Sequence, residues 1–410
     1  MTLSVVIAGL LLLVFLHELG HFSVARAVGM RPRSFYVGFP PALFKVQRNG
    51  IEYGIGAIPL GGMVRLPGMN RPAARDLRYF LEPALREDPS LVPSVAAVRR
   101  ALEAEDYEAA RRACIELERG LSAAQLTPGA RRSAQRAVRE VEEGTAPEAY
   151  WRGATWKRIA VIAAGPLANI LVAFVILFTV FALAGGPASR PTAMVAKVDP
   201  GKPAAKAGLE PGDRIVAVNG RPARSIDAVS GAIRSSGGRT VKLAVVRDGR
   251  RVSLRPEHTI KSGGHRILGF VLETPTVPYS LGRSVRAAGS NLWSVVTGTG
   301  QGLAGLFSSH GRSQLSGPVG IVEVSQQQLQ AGWSHYLVVV AFVSMSLALL
   351  NLLPLLPLDG GHILFSLIEA VRRRALAREV YERVSVVGVS FILLVMVIAF
   401  SNDMSRFSVF

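Results

Sequence analysis

Four stretches of this chain are apolar, free of charge and close to the thickness of a lipid bilayer. Residues 1–16 carry no Asp, Glu, Lys or Arg; 159–184 is 26 residues without one, 336–358 is 23, and 384–400 is 17. A helix crossing the hydrocarbon core needs about 20 apolar residues. The pattern predicts four transmembrane helices at about 2–28, 159–184, 336–358 and 384–402, and so a polytopic α-helical membrane protein. With 49% hydrophobic residues in 410, global disorder is excluded. Cys114 is the single cysteine, which excludes an internal disulfide and any Cys-rich zinc finger.

The formal charge is +18, from 47 Lys and Arg against 29 Asp and Glu. A basic excess fits nucleic acid or membrane topology, and its distribution decides for the membrane. Arg26, Arg31 and Arg33 follow the first span. Arg152, Lys157 and Arg158 precede the second, and Arg372, Arg373, Arg374, Arg378 and Arg383 crowd the short third loop. Residues 29–158 and 359–383 are therefore expected in the cytoplasm, with both termini outside. The basic 185–335 region does not oppose this, because long loops translocate largely regardless of charge. The first span lacks the basic start and small-residue cleavage site of a signal peptide. No nucleic-acid partner is expected; the lipid bilayer is.

Between the spans the composition changes. Residues 31–69 read as strands and turns, with a hairpin signal at Asn49-Gly50. Directly after a membrane helix, this predicts a β-hairpin dipping into the bilayer, where such backbone is tolerated only against protein or a water-filled cavity. Residues 70–150 are rich in Ala, Arg and Glu and predict a cytoplasmic helical insertion, with helices near 94–102, 107–121 and 127–143. Residues 187–260 alternate as a small α/β module. The remaining boundaries fall at 1–30 for the first span, 151–186 for the second, 261–334 for an extracytoplasmic linker with amphipathic helices, 335–361 for the third span, and 362–410 for a loop and the fourth.

The informative motif is His17-Glu18-Leu19-Gly20-His21. Residues i and i+4 share a helix face, so two imidazoles can hold one metal ion, with a carboxylate beside them to take a proton from water. Composition gives on the order of 0.006 chance matches to His-Glu-x-x-His in this chain. Sixteen preceding residues cover about 24 Å of helix, placing the motif inside the bilayer near its cytoplasmic face. Zinc lowers the pKa of its bound water to about 7, and a catalytic zinc takes three protein ligands. The third ligand has two candidates at the end of the third span, Asp359 and His362.

His17-Glu18-x-x-His21, with Asn351-x-x-Pro354 and Leu358-Asp359-Gly360, resembles the site-2 protease family of intramembrane zinc proteases. Ala164-Gly165-Pro166-Leu167-Ala168-Asn169 resembles another segment of that family. Ile58-Pro59-Leu60-Gly61-Gly62 and Leu315-Ser316-Gly317-Pro318 resemble segments of its bacterial sigma-factor-regulating branch. The likeness covers nearly all of the chain except about 70–150. It implies that His17, His21 and Asp359 bind Zn2+, that Glu18 is the general base, that Asn351 holds the substrate strand and that Asn169 lines the substrate site. It also implies a multi-pass protein of the bacterial inner membrane. The substrates would be single-pass membrane proteins, such as anti-sigma factors or remnant signal peptides, cut in regulated intramembrane proteolysis. Residues 203–215 resemble PDZ domains, which bind extended peptides beside a sheet edge. The chain departs from the family in one detail: the second proline of Asn-x-x-Pro-x-Pro falls one place late, at Pro357, with Leu356 before it.

Other functions fit less well. A membrane-embedded PDZ scaffold or chaperone would not need the complete catalytic set. A metal transporter would need polar residues along several spans, whereas here they gather at one depth.

Overall fold

A computed structural model describes residues 2–69, 71–72, 74–187, 193–223, 225–255, 257–262, 265–273, 276–305, 317–374, 376 and 378–407. In chain order, α1 (Thr2–Ala27) leads into β1 (Ser34–Arg48) and β2 (Ile51–Arg65). Four helices follow: α2 (Ala74–Glu87), α3 (Val92–Glu103), α4 (Tyr107–Ala123) and α5 (Pro128–Thr145). Then come α6 (Thr155–Leu183), α7 (Pro203–Lys206), α8 (Ile226–Ser235) and α9 (Leu281–Gly305). The chain ends with α10 (Pro318–Ala331), α11 (Trp333–Asn351), α12 (Asp359–Arg372) and α13 (Arg378–Phe407). Among the described residues, four helices are long and apolar enough to cross a membrane: Thr2–Ala27, Thr155–Leu183, Trp333–Asn351 and Glu379–Ser405. This is a multi-pass membrane protein.

The chain divides into two compact units, Met1–Leu177 with Gly289–Phe410, and Phe178–Ala288. In the first, α1, α6 and α11 share an apolar seam of Val6, Leu13, Val172, Ile176, Tyr336 and Val340. The Tyr336 hydroxyl, inside that seam, donates to Val5 O at 3.2 Å and so satisfies its own polar group. At Gly20 a Cβ would collide with the carbonyl of Ala164, so glycine lets the backbones of α1 and α6 touch. Asp403, fully buried in α13, accepts from Gly317 N at 3.0 Å and Gly320 N at 2.9 Å, capping the open amides at the start of α10. Leu315 and Ser316 of the motif around it lie outside the described residues.

The β region turns at Asn49-Gly50, both left-handed, with φ of 52° and 75°. Its register is irregular. Residues 42–48 pair with 51–56, and 34–37 pair with both 52–55 and 62–65. The 62–65 segment thus lies on one outer edge of this small sheet. Leu43, Phe44, Val46 and Ile55 are exposed, as expected of residues meeting lipid or substrate instead of water.

The insertion is a four-helix bundle with its own core of Leu77, Leu81, Val98, Cys114, Leu117, Val138 and Val141. The sequence predicts three helices here. The fourth, α2, carries Pro83 in its interior, which masks it. Asp106 and Thr127 cap α4 and α5 through their side chains. Two further differences bear on the site. The third membrane helix ends at Asn351 and not near 358, and residues 359–372, read as loop, form α12. Leu352, Leu355 and Leu358 make the apolar run continuous across a turn that periodicity alone does not reveal.

In the second unit, a four-stranded antiparallel sheet has the order Arg221–Pro222, Arg214–Val218, Leu243–Arg247, Arg250–Ser253. Beyond residue 260, where the sequence reading ends the module, strand Phe270–Leu272 pairs antiparallel with Val195–Val198. A groove of about 510 Å³ runs between α8 and residues 267–272. Buried Asp213 holds the unit together at one point. Its two oxygens accept from Arg247 Nε and an Arg247 terminal nitrogen at 2.7 Å each, and from Glu210 N at 2.9 Å.

Candidate metal centre

His17 and His21 project from one face of α1, as their spacing requires. Asp359 is the first residue of α12 and reaches them from the far side of the turn after α11. His17 Nε2 and His21 Nε2 are 3.2 Å apart, and Asp359 Oδ2 is 3.2 Å from the first and 3.4 Å from the second. Ligand atoms at 2.0–2.1 Å from a tetrahedral zinc are separated by about 3.3–3.4 Å. The triangle has the size that a single zinc ion would impose.

Two further observations fit an ion. Asp359 Oδ2 is buried with no hydrogen-bond partner, a costly state for a carboxylate unless a cation compensates it. A Cβ placed on Gly165 would collide with His21 Nε2 and lie 2.8 Å from His17 Nε2. Gly165 therefore leaves open the space onto which both nitrogens converge. Among the described residues this is the one group of three or more His, Cys, Asp or Glu side chains close enough to hold a metal.

His21 is oriented by its second nitrogen: Nδ1–H donates to Val161 O in α6 at 2.8 Å, which leaves the Nε2 lone pair free. Glu18 turns toward β2. It accepts from the Val64 backbone amide, and a Cβ on Gly62 would collide with its side chain. The carboxylate thus sits between the histidines and the outer edge of the β region. His362, the rival third ligand, instead lines a separate cavity with Tyr150, Arg158 and Tyr381, its ring 6.5 Å from that of Tyr381. Asn351 closes α11 at the start of the turn that leads to Asp359 and is partly exposed. Asn169 is fully buried against His17.

Gly165 and Gly62 lie in the family-like segments but the sequence assigns them no role at the metal, and Val161 and Val64 carry no sequence signal. Gly165 and Asn169 stand four apart on α6, so one helix face meets both histidines, and that spacing was a usable signal. Val161 and Val64 act through backbone atoms and leave no trace in side-chain chemistry.

A model of peptidase family M50 matches residues 5–395, from before the His17 motif to beyond Asp359. The chain belongs to peptidase family M50. This is the site-2 protease family that the motifs resemble. Among relatives, zinc metalloprotease RasP of Bacillus licheniformis is 31% identical over 412 residues, covering 96% of each chain. The regulator of sigma-W protease RasP of Bacillus subtilis is 30% identical, again over 96% of each. A putative zinc metalloprotease of Mesorhizobium japonicum is 29% identical over 96% of each. The matched range of 5–395 includes residues 70–150.

Proposed function

We propose that this M50 chain is a zinc-dependent intramembrane endopeptidase that cuts transmembrane segments of single-pass membrane proteins. The observation that carries the reading is a zinc-sized ligand triangle built on a helix long and apolar enough to cross a membrane, with the Glu18 carboxylate next to His17 on that helix. His17, His21 and Asp359 hold the ion. Zinc supplies Lewis-acid polarisation of a carbonyl and a water acidified to about pKa 7. Glu18 takes the proton from the attacking water and returns it to the leaving amine. Val64 N–H holds the Glu18 carboxylate in place for both transfers.

A helical substrate hides its peptide bonds in its own hydrogen bonds and must be extended before it is cut. The 62–65 segment, beside Glu18, is an outer edge of the sheet, and an unwound segment adds there by the same logic that adds a strand to a sheet. Asn351, at the end of α11 before the turn to Asp359, holds that segment. The second unit is PDZ-like, and its groove beside Phe270–Leu272 suits an extended peptide. Residues 29–158 and 359–383 face the cytoplasm of a bacterial inner membrane and both termini lie outside. One relative, named a regulator of sigma-W protease, supports the proposal that the substrates are membrane-bound anti-sigma factors. Nothing in the structure favours an inactive scaffold.

Metal content of purified variants tests the ligand set. Asp359→Ala should lose zinc while His362→Ala keeps it; the reverse would reassign the third ligand.

A further inference from the structure

Asn169, which the family resemblance places along the substrate site, is packed inside the helix bundle in this structure. It is 0% exposed, and its backbone carbonyl accepts from Ser344 Oγ of α11 at 2.9 Å, so the residue is clamped between α6 and α11. Its amide nitrogen lies 3.3 Å from His17 Nδ1, and its Oδ1 is buried without a partner.

That pairing conflicts with the rest of the site. An amide N–H donating to His17 Nδ1 would leave the imidazole proton on Nε2, aimed at His21 Nε2 and Asp359 Oδ2. A protonated Nε2 has no lone pair for a metal. His21 resolves the same problem openly, because its Nδ1 faces a backbone carbonyl that can only accept. Rotating the Asn169 amide by 180° exchanges two groups of nearly equal size. Oδ1 then faces His17 Nδ1 and accepts its proton, while the amide nitrogen takes the buried position that Oδ1 held.

We propose that Asn169 is a positioning residue for the metal centre. Its side-chain carbonyl accepts the Nδ1 proton of His17 and holds the imidazole in the tautomer whose Nε2 lone pair faces Asp359 and His21. The proposal rests on the metal-centre reading above. On this account each histidine ligand takes its tautomer from α6: His21 from the Val161 carbonyl and His17 from the Asn169 carbonyl two turns later. Gly165 lies between them and lets the helix come close enough for both contacts.

The test is zinc affinity of the full-length protein in detergent, by competition with a chromogenic chelator, with no substrate present. Asn169→Leu keeps the bulk but removes the acceptor and should weaken zinc binding by about 10–100-fold. Asn169→Asp keeps an acceptor at the same place and should bind within about threefold of wild type, or more tightly. Wild-type affinity in Asn169→Leu would overturn the proposal. So would an Asn169→Asp protein that is folded but loses zinc, a result that decides the matter even if the leucine variant fails to fold. A wild-type protein that binds no zinc would overturn the metal-centre reading itself and this proposal with it.

Discussion

Adding one methyl group at Gly165 should empty the metal centre while leaving the protein folded. A Cβ there would stand 2.8 Å from His17 Nε2 and 2.6 Å from His21 Cε1, and closer still to His21 Nε2. Restoring an ordinary 3.4 Å contact to His17 Nε2 alone requires a shift of 3.4 − 2.8 = 0.6 Å. Metal coordination tolerates only about 0.2 Å in each ligand distance. Relief by moving α6 away would give up the close packing of α1 on α6 at Gly20 and strain the Ser344 bond to Asn169. Overpacking of this kind costs about 1–3 kcal/mol, which a folded membrane domain survives. Gly165→Ala should therefore purify normally but bind zinc at least about a hundredfold more weakly, equivalent to about 2.7 kcal/mol. Elemental analysis after dialysis against a weak chelator reads this directly. Gly298→Ala, with nothing within 4 Å of its Cβ, is the matched control and should keep zinc. Wild-type zinc content in Gly165→Ala would refute the claim that this gap is the ion's place.

Three further outcomes follow from other parts of the chain. Reporter fusions near residue 407 and inside 195–255 should both report an extracytoplasmic location, and a cytoplasmic signal from the second would reverse the assigned topology. Deleting 191–257 should leave hydrolysis of an already trimmed membrane substrate intact and admit substrates that still carry bulky outer domains; loss of both activities in a folded, zinc-loaded protein would make the module a delivery device instead of a filter. Burial pushes the Asp213 carboxyl upward, but the bonds from Arg247 and Glu210 N outweigh it and hold its pKa below the ordinary 3.8. That stabilisation is present above the unfolded carboxylate pKa and is lost as pH falls through the folded one. Asp213→Asn should lower stability near neutral pH by roughly 3 kcal/mol and flatten the acid-side loss below about pH 4; thermal melts of the full chain that match wild type at both pH values would refute the role.

The parts legible in sequence are those where side-chain chemistry has to be displayed. Four apolar runs had to become spans, His17 and His21 had to share a face, and Asn49-Gly50 had to turn. Asp359 was half legible: an acid after an apolar run signals function, but His362 three places later carries an equally good ligand. What separates them is the turn from 352 to 358 and the start of α12 at Asp359, which depend on Gly360 and Gly361 fitting against the backbone of Leu352–Leu356. The contacts of Glu18 and His21 were illegible for a different reason. Val64 N–H and Val161 O are backbone atoms, available from any residue type, and only tertiary packing selects them. The fold-back of 34–37 between 52–55 and 62–65 was hidden likewise, since each segment alone reads as an ordinary strand.

The central claim is tested most directly by reconstituting the purified protein in liposomes with a single-pass membrane substrate and mapping the products by mass spectrometry. The account predicts cleavage within the apolar segment, abolished by a zinc chelator and restored by added zinc. It also predicts a rate reduced at least about a hundredfold by Glu18→Gln, in a variant that still holds zinc. Cleavage that persists at the wild-type rate in zinc-loaded Glu18→Gln, or that falls only in the substrate's water-exposed flanks, would contradict it.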